Sequence, residues 1–207
     1  MNPVIRVLIV DDHKIVQQGL AAVINKQPDM TVVGEAKDGI EAIALFRQLQ
    51  PDVTLMDLRM PQMGGAEAIS AISAEFSAAR IIILTTYDGD EDIYQGLRAG
   101  AKGYLLKDCE SDDLRTAIRT VHAGQRYIPP HVAAKLVQRL DHPELSQREV
   151  EILRLVAQGM NNLEISTALN ISESTVKVNL SRILSKLGAK DRIQAAIIAL
   201  KRGIASL

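Results

Sequence analysis

The chain is short of the features that would place it outside the cell or in a membrane. It has one cysteine, Cys109, in 207 residues, so no intrachain disulfide can form. No apolar run approaches the ~20 residues that cross a bilayer. The strand-like run IRVLIV begins at Ile5, which leaves no room for an export signal ahead of it. A soluble, cytoplasmic protein with no membrane partner is expected. No G-x-G-x-x-G follows that first run, so the dinucleotide-binding fingerprint is missing. His13, His122, His131 and His142 show no metal-ligand spacing. His13 is placed near an acidic edge rather than in catalysis, and Cys109, just after Lys107-Asp108, is read as structural rather than redox-active.

What is present divides into two parts. Apolar residues make up 47% of the chain, enough for a substantial core, and the length suits one medium and one small domain. The net charge of -1 hides an asymmetry: Met1 to Glu144 holds 15 Lys and Arg against 20 Asp and Glu, whereas Leu145 onward holds 9 against 5. Either this is surface variation, or a polyanion-binding module is joined to an acidic partner domain. The seam is predicted over 126–144, just after Gly124, where Pro129, Pro130 and Pro143 interrupt helical patterning and Val132 to Leu140 is the one short helical stretch. The expected division is 1–125, a linker over 126–144, and 145–207.

The acidic part alternates apolar runs with helical spacing. Strands are predicted at Ile5–Val10, Met30–Glu35, Val53–Met56, Ile81–Leu84 and Gly103–Leu106. Helical stretches lie between them at Ile15–Ile24, Ile40–Leu49, Ala66–Phe76 and Ile93–Ala99, with another at Leu114–Val121. This order implies a parallel α/β sheet with right-handed crossovers and helices on both faces. Runs such as IIIL, with no polar alternation, suit strands covered on both sides.

Sites in open parallel sheets form at the carboxyl ends of the strands. The first strand ends in Asp11-Asp12, the third in Asp57, the fourth in Thr85, and the fifth runs into Lys107. A strand cap would explain one carboxylate, but three at one edge repel one another unless a cation joins them. Phosphoryl transfer to a carboxylate needs this set. Asp57 would be the nucleophile, Asp11 and Asp12 would hold a hard divalent ion such as Mg2+, and Lys107 and Thr85 would meet phosphoryl oxygens. In VTLMDLRMP, Pro61 cannot extend a central strand and so leaves Asp57 near the open edge. Gly64-Gly65 is read as relaxing the backbone before the next helix.

The basic part is helical throughout. Ser146-Gln-Arg-Glu149 is a capping box ahead of apolar Val150, Leu153 and Val156 or Ala157, and Gly159 is placed to end that helix. A short helix over about Asn162–Leu169, the turn Leu169-Asn170-Ile171 and an N-cap at Ser172 lead into a long helix that ends before Gly188, and Asp191-Arg-Ile-Gln194 would cap a fourth. This is a helix-turn-helix pattern, whose second helix enters the major groove of double-stranded DNA. At about 100° per residue, Val176, Leu180, Ile183, Leu184 and Leu187 share the core side, while Val178, Ser181 and Ser185 face out. That face either packs against another domain or reads DNA. In the second case Val178 meets a thymine methyl, Lys177 a guanine or a phosphate, and Thr175, Ser181 and Arg182 the backbone.

These motifs resemble known families. Asp11-Asp12, Asp57 followed by Met60-Pro61, Thr85 after IIIL, and Gly103-Tyr104-Leu105-Leu106-Lys107 resemble the receiver domain of bacterial two-component response regulators, over roughly Ile5 to Ala123. LSQREVEILRLVAQGMNNLEISTALNISESTVKVNLSRILSKLGAKDR looks like the LuxR-type helix-turn-helix, and the pairing is that of the NarL/FixJ class. The resemblance implies a five-stranded, doubly wound, flavodoxin-like receiver followed by a small all-α four-helix DNA-binding domain. It implies phosphorylation of Asp57 by a sensor histidine kinase, with Mg2+ (or Mn2+) also held by the backbone carbonyl of Arg59, and a switch pair in Thr85 and Tyr104. The alternative for Tyr104 is a half-buried strand aromatic. Two residues depart from the pattern: Leu163 stands where lysine is common and Asn179 where histidine is common, and Asn179 can pair with adenine if it reaches a base edge.

The function expected is a phosphorylation-controlled transcriptional regulator that dimerises on phosphorylation, with RNA polymerase as a further candidate partner. It is not an enzyme in the usual sense, because the receiver catalyses only its own modification. The alternative is a regulator of the same fold switched by partner binding. A haloacid dehalogenase-like phosphohydrolase is disfavoured, since its second Asp would stand where Arg59 does.

Overall fold

A computed structural model describes residues 4–86, 90–140, 145–201 and 204–205. The chain forms two compact units, 1–136 and 137–207. The expected break over 141–144, with His142, lies outside the described residues.

The first unit is a five-stranded parallel sheet in the order β2-β1-β3-β4-β5. Its strands are β1 (Ile5–Val10), β2 (Met30–Ala36), β3 (Val53–Met56), β4 (Ile81–Thr85) and β5 (Gly103–Leu106). Helices α1 (Lys14–Asn25), α2 (Gly39–Leu49), α3 (Gly65–Glu75) and α4 (Asp90–Arg98) make the crossovers, and α5 (Ser111–His122) follows β5. Strand residues alternate between two cores. Leu8, Val10, Met56, Ile81 and Ile83 pack with Ala42 and Phe46 of α2, Ala68, Ile69 and Ile72 of α3, and Ile93 of α4. Val7, Ile9, Val53, Leu55, Ile82 and Leu84 pack with Ile24 of α1 and Leu114, Ala117, Ile118 and Val121 of α5. Both faces are covered, and this is why IIIL shows no alternation.

The expected tether is in part structured. Tyr127 bridges Gly103 in parallel: the Tyr104 amide donates to the Tyr127 carbonyl at 2.9 Å and the Tyr127 amide to the Lys102 carbonyl at 3.0 Å. Helix α6 spans Pro130–Leu140, and Ile128, Val132 and Leu136 pack into the core that contains Tyr104. β5 ends the sheet, and an open edge presents unpaired N–H and C=O groups. Tyr127 satisfies two of them. Gly124 and the prolines read as loop, yet the apolar residues between and after them anchor the segment.

The second unit contains α7 (Gln147–Ala157), α8 (Asn162–Ala168), α9 (Glu173–Leu187) and α10 (Arg192–Lys201). Glycines with positive φ follow α7 and α9, Gly159 at 86° and Gly188 at 63°, and Asn170 makes the turn between α8 and α9 at 50°. The core is Ile152, Leu153, Val156, Ile165, Val176, Ile183, Leu187, Ala195 and Ala199. On α7 the inward stripe includes Glu149 and Ile152, with Val150 only half-buried, so the phase differs slightly from the expected Val150, Leu153, Val156 set. The reason is the capping box. Glu149 turns back to accept from the Ser146 amide at 2.7 Å and also meets Lys186 Nζ of α9 at 2.7 Å. Among the described residues no helix is long and apolar enough to cross a membrane.

Burial works against the Glu149 carboxylate, but the hydrogen bonds from Lys186 and Ser146 outweigh it and hold its pKa below the ordinary glutamate value. Its stabilisation is therefore present above the ordinary glutamate range and is lost as pH falls through the lowered value. Glu149→Ala is expected to lower the hydrogen-exchange protection of α7 and α9 amides in the full chain by about 2 kcal/mol. Acidification through that window should weaken the wild type toward the variant and leave the variant nearly flat.

Candidate functional site

The carboxyl ends of β1, β3 and β5 bring together four of the residues singled out in the sequence. Asp57 begins where β3 stops, its amide donating to the Val10 carbonyl at 2.9 Å, and its side chain is 5% exposed. Asp11, just past the end of β1, is also buried. Lys107 enters from the end of β5, and its ammonium lies 2.6 Å from Asp11 Oδ2 and 2.7 Å from Asp57 Oδ2. Asp12 is more open and pairs with His13, Nδ1 to Oδ1, at 2.7 Å. One ligand atom from each of Asp11, Asp12, His13 and Asp57 lies within 4.8 Å of the others. The three carboxylates are hard oxygen donors, and the exposure of Asp12 leaves room for water, so this donor set fits a small divalent cation that keeps part of its hydration.

The electrostatics follow from this crowding. Burial pushes the Asp57 carboxyl above the ordinary carboxylate range, the hydrogen bond from Lys107 draws it back, and the charge of Asp11 adds to the rise. Burial opposes the Lys107 ammonium, yet its bonds to Asp11 and Asp57 outweigh that and raise its pKa. Lys107 therefore stays charged and offsets only part of the negative charge around it.

Other predicted residues stand at different distances from this cluster. Thr85 is buried at the end of β4, and its carbonyl accepts from the Lys107 amide at 2.9 Å. The Arg59 amide donates to Asp57 Oδ1 at 3.3 Å, and its side chain is exposed. Tyr104 is not among the carboxylates. It is fully buried in the core on the α2–α4 face, so it is not a half-buried strand aromatic. Burial also pushes the Cys109 thiol up, which keeps it protonated and unreactive.

The glycine pair after Pro61 has a different role from the one expected. Neither Gly64 nor Gly65 has a positive φ, so no conformational freedom is used. A Cβ on Gly65 would lie 2.0 Å from the Asp57 carbonyl oxygen, whereas one on Gly64 would meet the Leu58 carbonyl oxygen at an ordinary 3.4 Å. Gly65 is needed because the start of α3 runs against the end of β3, with its amide on the Leu58 carbonyl at 2.9 Å.

His13 lies at the acidic edge, as expected, with a ring nitrogen in the cluster. One residue at that edge escaped the sequence reading. Gln17 is buried on α1, and the available signal was a polar residue in phase with the inward Ala21 and Ile24, whereas apolar Ile15 is 84% exposed.

In the second unit α9 presents the predicted outward face. Thr175, Lys177, Val178, Ser181 and Arg182 are exposed and Asn179 is intermediate. Val178 is 51% exposed, an unusually open apolar side chain. The polar groups are held locally. Lys177 Nζ lies 3.0 Å from Glu173 Oε1, the Asn179 amide donates to the Thr175 carbonyl at 2.8 Å, and Thr175 is tied to the N-cap Ser172.

Comparison with known proteins matches both units. The response regulator receiver domain matches residues 7–119, and the luxR family of bacterial regulatory proteins matches residues 143–199. The transcriptional regulatory protein YxjL of Bacillus subtilis is 44% identical over 211 residues, 97% of each chain. The transcriptional regulatory protein LiaR of the same bacterium is 44% identical over 203 residues, 94% of this chain and 96% of that one. A solved complex of the two-component response regulator RcsB with DNA is 30% identical with a TM-score of 0.77, covering 96% of this chain and 98% of that one.

The close approach of Gly65 to Asp57 sets a test of the site's scaffold. Gly65→Ala is expected to cost about 2 kcal/mol in urea denaturation of the first unit, and Gly64→Ala distinctly less. Equal costs would mean that the β3–α3 contact is loose.

Proposed function

The chain belongs to the bacterial response regulators that join a receiver domain to a LuxR-type DNA-binding domain, and on that premise we propose that it is a transcriptional regulator switched by phosphorylation of Asp57. The observation that carries this reading is the convergence of Asp11, Asp12 and Asp57 on one strand edge with Lys107 bridging two of them. Residues 1–125 then form the phosphoacceptor domain and 145–207 the DNA-binding domain. Between them lies a connector over 126–144, whose beginning is fastened to β5.

In this reading the phosphoryl donor is a sensor histidine kinase. An Asp57 oxygen forms the new P–O bond as the P–N bond to the donor's imidazole breaks and the imidazole keeps the bonding pair. Mg2+ (or Mn2+), held by Asp11, Asp12, Asp57 and the carbonyl of Arg59, would supply charge neutralisation for the transferring group. Lys107 already spans the site and pairs with a phosphoryl oxygen once the Asp57 carboxylate is esterified. Thr85 takes another oxygen through its hydroxyl. Tyr104 is the second switch residue, and its location on β5 connects the site to the connector, because its own amide is bonded to Tyr127.

The output is binding of double-stranded DNA through the major groove by α9. Val178 offers an apolar contact to a thymine methyl and Lys177 and Asn179 reach base edges, while Thr175, Ser181 and Arg182 hold the backbone. Phosphorylation favours a homodimer that occupies two half-sites, and RNA polymerase is the further partner such a regulator meets at a promoter. A cytoplasmic location goes with these partners.

Intact-protein mass after incubation with Mg2+ and acetyl phosphate is expected to show one phosphoryl adduct on the wild type and none on Asp57→Asn. No adduct on folded wild type would favour a regulator switched by a partner instead. Lys177→Ala is expected to weaken binding to a duplex selected from random sequence by roughly tenfold while leaving the phosphoryl adduct unchanged. Loss of both would mean that the substitution damages the fold.

A further inference from the structure

Helix α1 carries a glutamine where its neighbours in phase are apolar. Gln17 is 4% exposed, beside the half-buried Leu20 and Ala21 and the buried Ile24. An apolar side chain there would be buried without any need for partners, so the amide is explained by what it binds.

Its Nε2 group donates to two backbone carbonyls, Asp11 at 2.8 Å and Ala36 at 2.8 Å. These are the ends of β1 and β2, the point at which sheet pairing stops and the acidic loop begins. The Asp11 amide also donates to the Ala36 carbonyl at 3.0 Å. On the other side of the amide, Lys14 Nζ donates to Gln17 Oε1 at 3.1 Å, which sets the orientation of the NH2 group toward the carbonyls. Both faces of the Gln17 amide are therefore engaged.

Asp11 is thereby held at its backbone as well as its side chain. Its Oδ2 faces Lys107 at 2.6 Å, and its Oδ1 accepts from the His13 amide at 2.9 Å. Mutual repulsion with Asp57 pushes the Asp11 loop away from the site. The Gln17 clamp acts on the main chain against that push, from outside the ligand set.

We propose that Gln17 is a positioning residue for the cation site, fixing the backbone of Asp11 so that the carboxylates of Asp11, Asp12 and Asp57 meet one divalent ion. This rests on the reading of that cluster as a cation site. Groups that orient metal ligands without touching the metal govern affinity strongly, whereas a residue that only stabilises the fold would change the melting temperature and leave the affinity of the folded protein alone.

The test is calorimetric titration of Mg2+ into the full-length wild type and Gln17→Met, which keeps the length and removes both donors. The expected result is a Kd about tenfold weaker in the folded variant. A variant that binds Mg2+ as tightly as the wild type overturns the proposal. A wild type that binds no Mg2+ overturns the cation-site reading itself, which is a different result. A second measurement on the wild type does not depend on the variant's folding. The side-chain NH2 resonances of Gln17 should shift on Mg2+ addition with the same midpoint as the Asp57 amide, and resonances that stay in place while Asp57 responds would also overturn the proposal.

Discussion

Three carboxylates at one edge of a sheet repel one another, and the first unit depends on how that repulsion is restrained. A single ammonium, Lys107, touches Asp11 at 2.6 Å and Asp57 at 2.7 Å. The strand order β2-β1-β3-β4-β5 makes this possible, since it sets β1 beside β3 and leaves only β4 between β3 and β5. Lys107 crosses that gap with its own amide on the Thr85 carbonyl. Its position is therefore fixed by the end of β4 as well as by the two acids. Among the described residues Lys107 is the one ammonium set on this group of three carboxylates, and burial of Asp57 sharpens their crowding. A site so built is under electrostatic tension in its resting state. It responds to any added cation or to any chemistry that changes the charge at Asp57.

The site is joined to the connector through β5 by covalent and hydrogen bonds. β5 runs into Lys107, carries Tyr104, and is paired along its free edge by Tyr127. Lys107 follows that strand directly, with its amide on the Thr85 carbonyl. That strand is bonded through the Tyr104 amide to the first residues of the connector, and Ile128, Val132 and Leu136 extend the contact into the same core. The connector is thus an additional layer of the receiver's edge up to residue 136. On the function proposed above, a charge event at Asp57 would meet packed, discrete contacts here, of the kind that switch more readily than they deform.

Much of this was legible in the sequence because it depends on local pattern. IRVLIV and IIIL identify buried parallel strands, the residues just after each strand identify the acidic edge, and Ser146 with Glu149 identifies a helix start to the residue. What escaped were effects that need three dimensions. Gly65 reads as a flexible residue, but it is required by contact with the Asp57 carbonyl of another element. Gln17 is polar and drew no notice in the sequence, because the phase of its helix shows only in the fold, where Ile15 is exposed and Gln17 buried. The Tyr127 segment lies among glycine and prolines, so its composition argues for a loop. Its pairing depends on β5 having a free edge, which only the strand order reveals.

The second unit shows the opposite distribution of strong and weak contacts. The strong ones lie inside it, where Glu149 ties the start of α7 to Lys186 near the end of α9 and the apolar core fixes the roll of α9 about its axis. The weak ones lie outside. Lys177 is engaged with Glu173 in an exposed i,i+4 pair, and the Asn179 amide is engaged with its own helix. An exposed pair of this kind is worth a few tenths of a kcal/mol, whereas a well-formed bidentate contact to a base edge is worth about 1–3 kcal/mol of discrimination. The local bonds therefore keep the long side chains ordered and, on the function proposed above, would not compete seriously with DNA. Val178 is apolar and has no polar group to engage in this way. On the function proposed above, its exposed surface on a rigid helix is the feature of α9 that would gain most from a groove.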